Sequence, residues 1–176
     1  MLAIGVCAAL LGTPQVWADE QDDYVAGIAA HERGDVIAAM ELLRRAAGAG
    51  HVAAMVRLGF LLDEAEENDA AFQVYLQAAE AGSPEGALAV GVMYANGEGV
   101  TKDPHKALIW ITRAADAGYG PAQVTLAQLY LRGEMGVVRD RDQALKILDR
   151  SARAGYEPAK QQLEALRNEK TSQAKQ

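Results

Sequence analysis

One five-residue phrase occurs four times in this chain, and its spacing limits the fold more than any other feature. It reads Ala46-Ala47-Gly48-Ala49-Gly50, Ala78-Ala79-Glu80-Ala81-Gly82, Ala114-Ala115-Asp116-Ala117-Gly118 and Ser151-Ala152-Arg153-Ala154-Gly155. The closing glycines stand 32, 36 and 37 residues apart. A near-constant period in this range is the mark of stacked helical units, each too small to bury its own apolar face and each completed by its neighbours.

Within each unit apolar residues recur at steps of three and four. Ala54, Leu58 and Leu61 are followed by Ala71, Val74, Tyr75 and Ala78, which predicts two amphipathic helices per unit. The closing glycine ends the second helix, because it alone enters the left-handed region without a side-chain penalty. Asp103-Pro104 is a helix start, with Asp able to cap free amides and Pro lacking the amide that would go unpaired. These signals predict helix pairs at 21–32/35–48, 51–63/68–80, 83–95/104–117 and 119–131/140–154, then a lone helix at 156–168. Small residues mark expected close approaches: Gly27, Ala39 and Ala46; Gly59, Ala71 and Ala78; Gly91, Ala107 and Ala114; Ala127, Ala144 and Ser151.

The first eighteen residues carry no charge, are almost wholly apolar from Leu2 to Gly12, and end at Val16-Trp17-Ala18 before Asp19, Glu20, Asp22 and Asp23. This layout predicts a signal peptide cleaved after Ala18, too short for a permanent membrane anchor. The expected organisation is a signal peptide at 1–18 and a helical-repeat domain at 19–167. Its units are 21–50, 51–82, 83–118 and 119–155 with a capping helix at 156–167, and a polar tail follows at 168–176. Cys7, the single cysteine, lies in the leader, so a processed chain has no thiol for disulfides, catalysis or metal. Residues 19–82 hold 13 acids against 4 bases, whereas 83–176 hold 11 against 13. The two halves should meet different surfaces. With no basic stripe, such a chain would be repelled by a phosphate backbone, which removes nucleic acid from the expected partners.

The third unit runs Gly91-Val92-Met93-Tyr94-Ala95-Asn96-Gly97-Glu98-Gly99-Val100, then Asp103, Ala107, Trp110, Ala114-Ala115 and Gly118. On this pattern the chain resembles the Sel-1-like repeat family, a relative of the tetratricopeptide repeats. The fourth unit follows with Tyr130, Gly133, Gly136-Val137, Asp140, Ala144 and Gly155, one residue longer in the loop and with Leu148 near the Trp place. The first two units lack the Gly-Val loop and are spaced like tetratricopeptide units. The resemblance implies an all-α fold, a right-handed solenoid of antiparallel helix pairs. It also implies a non-enzymatic interaction scaffold in the periplasm or outside the cell: an envelope-signalling regulator, an assembly factor or an immunity protein against a secreted toxin. The alternative it raises is a cell-wall or β-lactam hydrolase of the family's cysteine-rich branch, which depends on a disulfide in each repeat.

Local chemistry is sparse. His31, His51 and His105 lie in separate units without a partner three or four residues away, so they make no metal pair. The acidic run Asp63 to Asp69 lacks the alternating ligands and central glycine of a calcium loop, and reads as a solvated turn. Gly97 and Gly99 lack the strand and lysine of a phosphate loop. Tyr75, Tyr94, Trp110 and Tyr130 are expected to pack in the core. No cofactor is expected.

By resemblance to tetratricopeptide arrays, the first helix of each pair lines a concave groove that holds a protein partner. The residues this brings forward are Tyr24, Ile28 and His31; Val56, Phe60 and Asp63; Leu88, Val92 and Asn96; and Val124, Gln128, Leu131 and Arg132. Most are apolar, and an apolar strip rimmed by charge marks a binding surface. The competing expectation is that a short array curls tightly and buries several of them. No stable membrane insertion is expected after cleavage, and the sequence leaves the oligomeric state open.

Overall fold

The structure, a computed structural model, describes residues 14–173, and among them it contains nine helices and no strand. The chain gathers into two compact units, one ending at Met55 and the other beginning at Val56. The first holds α1 (Pro14–Glu32), α2 (Val36–Gly48) and the first turn of α3 (Val52–Glu64). The second holds the rest of α3, then α4 (Asn68–Glu80), α5 (Pro84–Asn96), α6 (Pro104–Asp116), α7 (Gly120–Arg132), α8 (Arg141–Arg153) and α9 (Glu157–Gln173). From α4 onward each helix packs on the next.

Every end from α2 to α8 falls within one residue of the expected bounds. The outer helices differ. α1 begins at Pro14, seven residues before the expected start, because Pro suits the first helical position and no glycine or proline follows until Gly27. α9 continues to Gln173, through much of the tail expected from 168, since nothing after Pro158 breaks a run of good helix formers. Residues 1–13 of the expected leader, Cys7 included, lie outside the described residues.

The repeated phrase acts as a helix stop in the same way each time. Gly50, Gly82, Gly118 and Gly155 adopt φ between +85° and +99°, and their amides donate to the carbonyls of Ala47, Ala79, Ala115 and Ala152. The next amides, of His51, Ser83, Tyr119 and Tyr156, reach back five residues to Ala46, Ala78, Ala114 and Ser151. This pairing satisfies two carbonyls that a helix end leaves free. Three of the four second helices start alike, while α4 follows Glu67 with no side-chain cap. Asp35, Asp103 and Asp140 accept amides of the first turns of α2, α6 and α8, and Ser83 does the same for the first helix α5.

The small residues sit where close approach was expected. Ala39, Ala46, Ala71, Ala78, Ala107, Ala114, Ala127, Ala144 and Ser151 are all fully buried. A Cβ on Gly27 would come within 2.9 Å of Leu43, and one on Gly91 within 2.7 Å of Ile111. Leu148 is fully buried and takes the place of Leu43 and Ile111, four residues past the small residue of its helix. Ile147, not Leu148, therefore stands where Trp110 does. Tyr75 is buried as expected, but Tyr94, Trp110 and Tyr130 are only half-buried. Tyr94 sits edge-on to Phe72 at 5.3 Å and beneath the Lys106 ammonium, and Arg113 stacks 5.1 Å from the Trp110 ring.

Candidate partner-binding groove

The arithmetic of the helix decides which side chains leave the pair interface. Gly59 lies against the Tyr75 ring and Gly91 against Ile111, so the residues after them, Phe60 and Val92, are turned about 100° away. One turn earlier stand Val56 and Leu88, which gives α3 and α5 the same two-residue stripe. The two stripes meet. Val56 and Phe60 from α3 and Leu88, Ala89, Val92 and Met93 from α5 line one cavity of about 280 Å³ in the second unit. Arg57 and Asp63 of α3, Tyr75 of α4, Glu85 of α5, Glu98 after α5 and Tyr119 before α7 complete it.

Phe60 and Val92 are each 40% exposed, high for side chains of their kind, and Leu88 is half-buried. Val56 is 7% exposed, so it forms part of the wall and also of the core. Tyr75 is equally buried, and burial pushes its phenol well above the ordinary tyrosine range, with the charges of Asp63, Glu85 and Glu64 adding to the effect. Tyr119 is raised too, by burial first, then by Glu85 and Tyr156. Both hydroxyls therefore keep their protons and can donate.

The other expected groove residues are placed differently. Val124, Gln128 and Leu131 of α7 are half-buried, Arg132 is exposed, and none of them lines this cavity. Tyr24 and Ile28 belong to the first unit and are half-buried there. The Tyr24 ring stacks on His51 with centroids 4.5 Å apart. His51 Nδ1 accepts the Ala54 amide at 3.1 Å, which puts the ring proton on Nε2, 2.9 Å from Gln21 Oε1. His51 is thus a helix cap, and Tyr24 packs on it. Sequence reasoning missed Arg57, Glu85, Ala89, Met93, Glu98 and Tyr119. Extending the α5 stripe one turn back from Leu88 would have found Glu85. Among the described residues no group of three His, Cys, Asp or Glu could hold a metal, and no helix is long and apolar enough to cross a membrane.

The repeat geometry has relatives. The Sel1 repeat model matches residues 24–51, 84–119 and 120–156, more than half of the chain. This chain belongs to the Sel1 repeat family. Sel1 repeat proteins generally mediate protein–protein interaction, and scaffolds of the family are generally not enzymes. The crystal structure of a Sel1 repeat protein from Oxalobacter formigenes is similar with a TM-score of 0.74 and 30% identity, over 82% of this chain and 60% of that one. A protective antigen of uropathogenic Escherichia coli strains with an SLR fold has a TM-score of 0.76 at 24% identity, over 88% of this chain and 34% of that one, and shares the fold. The present Sel1 chain thus spans less than two thirds of the first protein and about one third of the second. Its all-α repeat fold is the one they have in common.

Proposed function

We propose that this Sel1 protein is a non-enzymatic adaptor or regulator that works outside the cytoplasm and holds a partner protein on the α3–α5 groove. The observation that carries this reading is the pairing of Phe60 and Val92, two large apolar side chains left exposed at the mouth of one cavity by adjacent first helices. Exposed apolar residues scattered singly need no explanation, but a matched pair over a shared cavity fits a protein anchor. The uncharged leader and the Ala18-Asp19 junction support export, where roles such as envelope-signalling regulation or toxin immunity need only a shaped groove.

Phe60→Asp combined with Val92→Asp tests the groove. Both charges meet water in the free protein and lose it in a complex, and anchors of this kind contribute about 2 kcal/mol or more each. Capture of the partner from envelope extract should fall at least about tenfold, while helical content and melting temperature barely move. Full capture by a folded double variant would move the site elsewhere. Export is tested by intact mass from the native host: the chain should begin at Asp19, and a cytoplasmic product retaining Met1 would refute it.

A further inference from the structure

We propose that the groove receives one short anchor segment of a partner polypeptide in which an aromatic or branched aliphatic side chain stands next to a lysine or arginine. This rests on the groove reading above and goes on to say what the groove selects. Size comes first. A cavity of 280 Å³ has the room of about nine water molecules. That accommodates one large side chain and the stem of a second, so whatever backbone conformation the segment has, about two of its side chains enter.

Charge comes next. Three carboxylates, Asp63, Glu85 and Glu98, line the cavity against one guanidinium, Arg57. Glu98 accepts a hydrogen bond from the Asn96 amide at 3.2 Å, but among the described residues neither Asp63 nor Glu85 is held in an ion pair. An acidic segment would be driven against like charge as it lost water, and a basic one would be drawn in. The third observation is Tyr75. Its ring is buried and it lines the cavity, where its hydroxyl is open to solvent and makes no hydrogen bond to another described residue. Burial and the charges of Asp63 and Glu85 keep its phenol protonated, so it can donate to a carbonyl that enters the cavity. An apolar floor, a carboxylate rim and one free donor together match a peptide that brings an apolar anchor, a cation and a backbone carbonyl.

The test is fluorescence polarisation of the full chain with three labelled peptides of about twelve residues in a common Gly-Ser frame. The first carries Arg-Phe-Lys-Leu at its centre, the second Glu-Phe-Glu-Leu and the third Arg-Ser-Lys-Ser. The first should bind at least about tenfold more tightly than either other, and should weaken about fivefold or more between 0.05 and 0.5 M salt. Asp63→Asn with Glu85→Gln should bring the first and second peptides to within about threefold of each other. Phe60→Ser and, separately, Val92→Ser should weaken the first peptide strongly in folded protein. If the first two peptides bind equally and both are lost in Phe60→Ser, the charge selection is wrong and the groove stands. If no peptide binds at about 1 mM, or if the two serine variants bind like the parent, the groove and the inference fall together.

Discussion

The third and fourth helix pairs carry the same Gly-x-Gly-Val type of loop, yet they are built to different tolerances. In both, a left-handed glycine, Gly97 or Gly133, ends the first helix, and the loop closes where the amide of Asp103 or Asp140 reaches back to the carbonyl of Tyr94 or Tyr130. Gly99 then presses on the start of α4 so closely that an added Cβ would stand 2.1 Å from the Asn68 carbonyl oxygen. The counterpart loop has one residue more. Its Gly136 faces only the His105 ring at 3.3 Å, and Met135 is left at φ +53°, where a side chain is strained. The fourth pair also has Ser151 where the others have alanine, and its buried hydroxyl has no partner among the described residues. One extra loop residue and one oxygen make the fourth pair the looser copy.

The sharpest way to break this comparison is to put alanine at the two loop glycines. Gly99→Ala must displace backbone that cannot yield, and overpacking plus left-handed strain should cost about 3 kcal/mol or more. Gly136→Ala meets a ring that can rotate and should cost about 1 kcal/mol. Urea denaturation of both variants reads the difference, and equal losses would mean that the loops are packed alike.

A smaller effect should appear with the opposite sign at Ser151. Ser151→Ala restores the residue of the other three repeats and removes an unpaired buried hydroxyl, so it should stabilise by about 1 kcal/mol. A loss of stability would show that the oxygen is satisfied in solution. Smallest of all is Met135→Gly, where relief of the positive φ is partly offset by the entropy of the unfolded chain. A gain of about 0.5 kcal/mol is expected from the same denaturation curves. No gain at all would show that Met135 is not under strain.

The parts of the molecule governed by short-range periodicity were legible in the sequence. The closing glycines, the buried alanines and the ends of α2 to α8 follow from spacing alone, because a helix repeats every 3.6 residues whatever surrounds it. Part of the cavity wall was legible for the same reason: Phe60 and Val92 stand one place past a small residue and line the cavity. What could not be read depends on partners far along the chain. Tyr75 satisfies a core pattern and also borders the cavity, and Tyr119 reaches the cavity from a turn. The α7 stripe of Val124 and Gln128 stands at the same places relative to its small residue as the α5 stripe and yet does not line the cavity, since periodicity sets which face a residue is on and not what stands opposite. The contact of Gly99 with Asn68 joins residues thirty-one apart, and neither carries a local mark of it.

The paired hydrogen bonds at each closing glycine also determine where this chain can grow. The residue whose amide completes the bond, as in Ser83 and Tyr119, is already the cap of the next helix, so no spacer separates the stop from the restart. One residue inserted there would swing the following helix by about 100° and carry its buried stripe out of the core. The short loops inside the first two pairs carry the same lock, where the amides of Asp35 and Glu67 reach back five residues to Ala30 and Leu62, but the longer loop of the fourth pair does not, and its extra residue at Met135 is absorbed with the helices on both sides still thirteen residues long. Length variation should therefore collect in the loop of the fourth pair, and a peptide tag or reporter placed at Met135 should be tolerated while the same insert after Gly118 is not.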